Sequence, residues 1–243
     1  MDRIEVVLVH PRNPLNIGAA GRAMANFGLS RLTVVAPFEP HWREARSAVQ
    51  SSQILENARE TSTLADAIAS DTLVLGTASL TYRTPEQPVL HLPDACPTVR
   101  QELARGGRVA LVFGSEKHGL TRADLAFCHR LLVIPTSDIQ PSMNLGQAVA
   151  VCLYELSSRL GEPVAALTAP EPPVTSADLG QLAQLVEETM VAANYSPAGM
   201  RGANRHDVEL MLRRLSPSGR DLRRILGLFR RILWRLKEGS ERL

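Results

Sequence analysis

Short apolar runs rich in β-branched residues alternate with stretches of helical spacing from Ile4 to Leu160, and this alternation limits the possible folds more than any other feature. The runs are Ile4–Val9, Leu32–Val35, Thr72–Leu75, Val109–Phe113 and Leu131–Ile134. Strands of a parallel sheet that is covered by helices on both faces have this pattern, because neither face meets water. The sequence therefore predicts an α/β domain with a mostly parallel sheet.

The segments between and after these runs predict helices and a second unit. Within residues 1–160 we expect helices at Ile17–Phe27, near Leu64–Ala69, at Val99–Arg105, at Arg122–Phe127 and at Leu145–Leu160. Residues 161–176 are rich in proline, which interrupts both helix and sheet, so they predict a linker. Residues 177–243 predict a small all-α unit with helices at Ala177–Ala193, Asp207–Leu215 and Asp221–Lys237.

Composition excludes several classes of protein. With 243 residues, of which 44% are hydrophobic, the chain can bury a full core. The first residues show no secretory leader, and no apolar run approaches the roughly 18 residues that a membrane span requires, so we expect a cytoplasmic protein without a membrane partner. The three cysteines and six histidines are too scattered for a disulfide framework or a metal site, so no metal is expected.

Positive charge is concentrated at the end of the chain. Residues 201–243 contain 12 Lys and Arg against 5 Asp and Glu, whereas the first 200 residues contain 15 against 20. Because phosphate neutralisation releases condensed counterions, a basic segment of this kind indicates a polyanionic partner. Within Arg220–Lys237 the apolar residues share one helical face and the arginines the other, so a bundle helix with a solvated basic face and a membrane-surface helix are the alternatives.

Three clusters of small and polar residues follow predicted strands. In the first, which runs from Asn16 to Ala25, glycines permit close packing and Arg22 lies about one turn into a helix. The alternative is a tightly packed helix start with a solvated arginine. A dinucleotide-binding fold is disfavoured, because the Gly-x-Gly-x-x-Gly fingerprint is absent.

The second and third clusters are loops after late strands. In the second, Gly114 and Gly119 flank Glu116, a candidate hydrogen-bond acceptor, although an ordinary strand-to-helix turn would have the same composition. In the third, Ser142 and Asn144 precede an amphipathic helix, where they could also be simple caps.

In this order and at this separation, the three clusters resemble the three motifs of the TrmH-like SPOUT methyltransferases. The motifs are Asn-x-Gly-x-x-x-Arg ending at Arg22, Phe-Gly-x-Glu-x-x-Gly-Leu ending at Leu120, and Ile-Pro…Ser-x-Asn-Leu ending at Leu145. Gly76-Thr77-Ala78, Tyr82-Arg83-Thr84, the linker and the basic tail look like the TrmJ branch, which methylates the ribose of nucleotide 32 in the tRNA anticodon loop.

The resemblance implies a SPOUT fold with a C-terminal trefoil knot and a pocket for S-adenosylmethionine against the knot. The residues that match the family's cofactor pocket are Thr77, Ala78, Gly114, Glu116, Gly119, Ile134, Ser142, Asn144 and Leu145. It also implies a homodimer in which the motif-one arginine of one subunit faces the cofactor of the other.

The resemblance further implies residues that act on the RNA. The catalytic set would be Arg22, Ser142 and Asn144, with Arg22 as clamp and charge stabiliser, because a guanidinium stays protonated and is a poor base. The residues expected to contact tRNA are Arg22, Arg83, Arg223, Arg224, Arg230 and Arg231. For Arg83 a solvated loop arginine is the alternative.

Two other hypotheses for function stay open at this point. One is a ribose methyltransferase that acts on ribosomal RNA or on another position of tRNA. The other is a catalytically silent RNA-binding scaffold, against which the joint presence of Arg22, Glu116, Ser142 and Asn144 argues.

Overall fold

The structure, a computed structural model, describes residues 2–44, 52–80, 85–160, 173–195 and 200–240. Its described part contains one sheet of seven strands in the order β3-β2-β1-β6-β4-β7-β5, and every pairing is parallel. The strands are β1 Ile4–Val9, β2 Leu32–Val35, β3 Arg59–Thr61, β4 Leu73–Thr77, β5 Val89–His91, β6 Val109–Phe113 and β7 Arg130–Val133. The prediction of a largely parallel α/β sheet is confirmed.

The α-helices cover both faces of this sheet and form a separate C-terminal group. They are α1 Pro14–Asn26, α2 Ser52–Glu56, α3 Leu64–Ala67, α4 Leu92–Ala104, α5 Arg122–Leu125, α6 Leu145–Leu160, α7 Ser176–Ala192, α8 Arg201–Leu215 and α9 Gly219–Ser240, with a 3-10 turn at Trp42–Glu44. Alternate residues of β1 belong to two different core clusters, since Val6 and Leu8 face α1 and α6 whereas Val7 and Val9 face α3. This two-sided burial explains why the strand is continuously apolar.

Helix α1 begins earlier than its apolar spacing predicts. Pro14 occupies the first turn, where a missing N–H costs nothing, and the Asn13 side chain accepts a hydrogen bond from the backbone of Leu15 at 2.9 Å. Helix α1 packs closely on α6: a methyl group at Gly146 would lie 2.6 Å from the Cβ atom of Ala19. The amino ends of both helices are therefore held together at one edge of the sheet.

Two strands, the short helix α2 and the first half of helix α4 were not predicted. The edge strands β3 and β5 have three residues each, and neither is continuously apolar. Helix α4 begins at Leu92 instead of Val99. It contains Pro93 in its first turn and Pro97 in its interior, where proline is normally disfavoured.

The C-terminal unit consists of α7, α8 and α9, which enclose their own apolar cluster. Its first helix is capped by Thr175 and begins at Ser176, whose N–H donates to the Asp71 carbonyl at 2.8 Å. On α8, Arg213 is buried, pairs with Glu209 and lies over the Phe127 ring at 5.1 Å. The unit is thus docked on the α/β domain. Residues 161–172 lie outside the described residues, so the linker stays a prediction there.

In the part of the chain that the structure describes, no helix is long and apolar enough to cross a membrane. The same residues contain no group of His, Cys, Asp and Glu that could hold a metal ion. Cys96, Cys128 and Cys152 are buried free thiols.

Candidate active site

A cavity of about 760 Å³ opens at the carboxyl edge of the sheet, where β4, β6 and β7 end side by side. Its size is typical of small-molecule sites, and crevices at this edge of parallel sheets commonly bind ligands. Eight of the nine residues expected to hold the cofactor line it: Thr77, Ala78, Gly114, Glu116, Gly119, Ile134, Ser142 and Leu145. The ninth, Asn144, is not in the lining.

The loop after β6 folds back on itself and forms one wall of the cavity. Ser115 and Gly119 form an isolated antiparallel bridge, with the Gly119 N–H donating to the Ser115 carbonyl at 2.8 Å. A Cβ atom at Gly114 would overlap the backbone of Gly119 and Leu120. The close crossing of the loop therefore requires glycine at position 114, whether or not a ligand binds there.

The Glu116 carboxylate ties this loop to the segment after β1. It accepts hydrogen bonds from the backbone N–H of Arg12 at 2.9 Å, from that of Asn13 at 3.0 Å and from the Asn16 side chain at 2.9 Å. Partial burial alone would raise the pKa of Glu116, but these hydrogen bonds outweigh it and hold the pKa below its ordinary value. Glu116 is therefore an anion whose oxygens already bind protein donors.

Asn144 extends the same network to the start of α6. Its Nδ2 donates to the Asn16 side-chain oxygen at 2.9 Å, and its Oδ1 accepts from the Gly146 N–H at 2.9 Å. The amide is thus occupied by a helix cap and by the Asn16 contact. Asn16, part of motif one but absent from the expected site residues, connects Glu116 with Asn144; its place in the motif was the available signal.

Ser142 lies on the cavity wall in the loop between β7 and α6. Its hydroxyl oxygen accepts a hydrogen bond from the Gln140 side chain at 3.1 Å, and the residue is exposed. Residues of the lining that the sequence did not single out as site residues include His91, Lys117, His118 and Asp138.

Five of the six expected RNA-contacting residues are described, and these five lie apart from the cavity lining. Arg22 is exposed on α1 and does not line the cavity of its own chain. Arg223, Arg224, Arg230 and Arg231 are all exposed on α9. Arg83 lies outside the described residues, so nothing in the structure bears on it.

Residues 3–154 match the model of the SpoU rRNA methylase family, a stretch that includes the whole sheet and all three loops of the cavity. This match covers more than half of the chain.

The chain belongs to the SpoU rRNA methylase family.

Among its relatives are proteins named TrmJ. A tRNA (cytidine/uridine-2′-O-)-methyltransferase TrmJ from Pectobacterium atrosepticum is 33% identical over 240 residues, which is 96% of each chain. A tRNA (cytidine/uridine/adenosine-2′-O-)-methyltransferase TrmJ from Pseudomonas aeruginosa is 41% identical over 157 residues, which is 64% of this chain but only 61% of that relative. The crystal structure of TrmJ from Z. mobilis ZM4 superposes with a TM-score of 0.81 at 27% identity, covering 94% of this chain and 98% of that one.

The last of these matches extends beyond the residues that define the SpoU family. Because it covers almost the whole chain, the Z. mobilis protein shares the C-terminal helices as well as the α/β domain. The family assignment therefore comes from the α/β domain, and the likeness to TrmJ also includes the C-terminal unit.

Proposed function

We propose that this chain is an S-adenosylmethionine-dependent tRNA methyltransferase that modifies a ribose 2′-hydroxyl, at nucleotide 32 of the anticodon loop. The observation that carries the proposal is the cavity at the ends of β4, β6 and β7, where the Glu116 network joins the loop after β6 to the segment after β1 and to the start of α6, in a chain of the SpoU family. The TrmJ relatives supply the substrate class, and the resemblance to the TrmJ branch supplies the nucleotide.

The cavity suits a ligand with a flat aromatic base and a cationic centre. Leu120, Ile134 and Leu145 give it apolar walls, and Glu116 places a stable negative charge at its edge. A sulfonium is a cation that accepts no hydrogen bond, so a carboxylate beside apolar walls favours it. When bound, the cofactor supplies an electrophilic methyl group; the loops around Gly114, Gly119 and Thr77 hold it.

The methyl acceptor places the main chemical demand on the protein. A ribose hydroxyl is a weak nucleophile, and negative charge develops on its oxygen as the methyl group is transferred. A guanidinium is a poor base, so Arg22 serves as a clamp on a neighbouring phosphate or as the partner of the developing charge. Ser142, on the cavity wall, orients the hydroxyl.

Asn144 has a positioning role in this proposal. Since its amide binds Asn16 and caps α6, it acts on the ribose through the position of the third loop and of Ser142. Asn16 and Glu116 complete this support.

The same proposal includes a homodimer in which Arg22 serves the partner's cavity. Arg22 is exposed and outside the lining of its own cavity, and α1 and α6 also carry exposed apolar side chains, namely Leu15 at 54%, Val151 at 37% and Tyr154 at 61%. Mixing Arg22→Ala with Ser142→Ala protein tests this. A dimer with shared sites recovers methylation that neither variant has alone, whereas sites made within one chain stay inactive.

The trefoil knot and the cytoplasmic location belong to the proposal too. In support of a knot, β7 lies between β4 and β5 although β5 precedes it in sequence, and the chain then returns to place α6 beside α1 and α4. The buried free cysteines are compatible with a reducing compartment.

The C-terminal unit, which we place after the linker of residues 161–176, binds the tRNA backbone. The exposed arginines of α9 lie opposite the face that carries Leu222 and Leu233, which are buried. Replacing Arg223, Arg224, Arg230 and Arg231 by alanine should weaken tRNA binding and reduce its salt dependence, while cofactor binding is unchanged. Equal tRNA affinity at all salt concentrations would remove this role.

Mass-spectrometric mapping of ribose methylation tests the function directly. Purified protein is incubated with the methyl donor and either unmodified tRNA or ribosomal RNA, with Arg22→Ala as the variant and Arg3→Ala, exposed at the opposite edge of the sheet, as its control. We expect a methylated ribose at nucleotide 32 and a loss of about 10²–10³ in kcat for Arg22→Ala only. Methylation of ribosomal RNA alone, or a donor that does not bind, would contradict the proposal.

A further inference from the structure

An exposed aromatic side chain lies beside the active site in contact with an arginine. Phe38 is 64% exposed, and the guanidinium carbon of Arg12 lies 4.7 Å from the centre of its ring. An exposed aromatic side chain does not contribute the burial free energy by which such residues normally stabilise a fold. The pair therefore has a solvent-facing surface that combines a flat apolar ring with a permanent positive charge.

The topology of the sheet fixes this pair next to the cavity. Arg12 follows the carboxyl end of β1 and Phe38 that of β2, which neighbours β1 in the sheet. The Phe38 N–H donates to the Pro11 carbonyl at 3.1 Å, and the Arg12 N–H donates to Glu116 at 2.9 Å. Glu116, which lines the cavity, thus binds the backbone of Arg12, and the Pro11 carbonyl binds that of Phe38.

The backbone on both sides of the pair is held in an uncommon conformation. His10 and Ala36, the first residues after β1 and β2, have φ angles of 49° and 42°. The left-handed region is costly for residues other than glycine and persists where the surrounding structure imposes it. The two strand ends are thereby turned so that Arg12 and Phe38 meet, which indicates a preformed surface.

Side chains that can contact a phosphate chain lie on the loop that binds Arg12. Lys117 and His118 lie on the same Glu116 loop, both exposed, at the rim of the cavity. Aromatic rings flanked by cations bind single-stranded nucleic acid, because bases stack on the ring while the cations contact the backbone.

We propose that Phe38 and Arg12 form a stacking platform for an unpaired base of the RNA substrate, next to the nucleotide whose ribose is methylated. This inference rests on the proposed function, and it adds that the RNA is single-stranded where it contacts this site. The base stacks on the Phe38 ring, and Arg12 contacts the adjoining phosphate.

Affinity for tRNA, measured with the full-length protein, tests the platform through a matched pair of variants. Phe38→Leu keeps an apolar side chain but has no π face, whereas Phe38→Tyr keeps the ring. We expect Phe38→Leu to raise the Kd for tRNA at least about fivefold, the lower end of what one base stack contributes, and Phe38→Tyr to stay within about twofold of wild type. Arg12→Ala should lower the slope of log K against log salt by about one, whereas Arg3→Ala leaves it unchanged.

Two further measurements separate the possible failures. Binding of S-adenosylmethionine reports whether each variant is folded at the cavity, and we expect it to be unchanged in Phe38→Leu. If wild-type protein methylates tRNA and Phe38→Leu binds tRNA as tightly as Phe38→Tyr, the platform is wrong although the function stands. If wild-type protein methylates no RNA, the proposed function fails instead.

Discussion

Asp71 is a buried carboxyl group whose ionisation should set the pH dependence of stability. It lies directly before β4, and neither of its carboxyl oxygens has a hydrogen-bond partner in the described part of the chain. Burial, and then the nearby Glu5 carboxylate, raise the pKa of Asp71 from 3.8 to about 7. Arg108, Arg31 and Arg59 oppose this shift without cancelling it. The folded protein therefore favours the neutral acid.

The sign of the effect follows from this raised pKa. The unfolded chain releases the proton near pH 4 and the folded chain near pH 7, so stability falls as pH rises between these values and is then constant. Asp71→Asn keeps the shape and removes the charge. From linkage, the stabilisation by this change should be larger by about 2–3 kcal/mol at about pH 8 than at about pH 5.

Urea unfolding followed by circular dichroism at the two pH values measures this difference. Asp2→Asn, at an exposed position of the same chain, is the control and should change the free energy of unfolding by less than about 0.5 kcal/mol at either pH. If Asp71→Asn changes stability equally at both pH values, the carboxyl group is ionised in the fold and the argument from burial is wrong.

Three shorter predictions concern the loop of the site and the docking of the C-terminal unit. Gly114→Ala should lower the free energy of unfolding by about 3 kcal/mol and abolish binding of the methyl donor, because the added Cβ overlaps the backbone. Its control in thermal unfolding is Gly180→Ala, which lies in open space on α7 and should stabilise the fold by up to about 1 kcal/mol. Because the pKa of Glu116 is lowered, its support of the loop is present at neutral pH and is lost only in acid below the ordinary carboxyl pKa. Donor affinity measured by calorimetry should therefore fall in that acid range in wild type but be low at every pH in Glu116→Ala. Arg213→Met leaves Glu209 buried without its partner and should destabilise by about 3–5 kcal/mol in urea unfolding, whereas a double change to Met at both positions should cost clearly less.

The sequence predicted the elements that are apolar on both sides and missed those whose formation depends on neighbours. Strands β1, β2 and β6 have the predicted bounds, since every residue in them is buried. Strand β3 is polar and exists because it pairs with the edge of β2, which no local pattern reveals. Similarly, the proline-containing first turns of α4 follow β5 directly and pack on the sheet, so tertiary contacts override local propensity there.

The motifs predicted which loops lie together, but they could not predict which contacts each of their residues makes. Glu116 meets Arg12 and Asn16 only because β1 and β6 are neighbours in the sheet, an order that strand patterns do not specify. The cavity residues expected from the family lie together, with the exception of Asn144, whose amide faces the network instead. These roles remain proposals that the variants described above can test.

The contacts of these residues restrict which group can accept the proton of the ribose hydroxyl. A guanidinium is a poor base, and the carboxylate of Glu116, with a lowered pKa and its oxygens bound to protein donors, is a weak one. Besides Glu116, the described residues that line the cavity and carry basic nitrogen or carboxylate oxygen include His91, Lys117, His118 and Asp138. With the proposed roles of the motif residues, the acceptor is to be sought among these rim groups, water and the RNA itself.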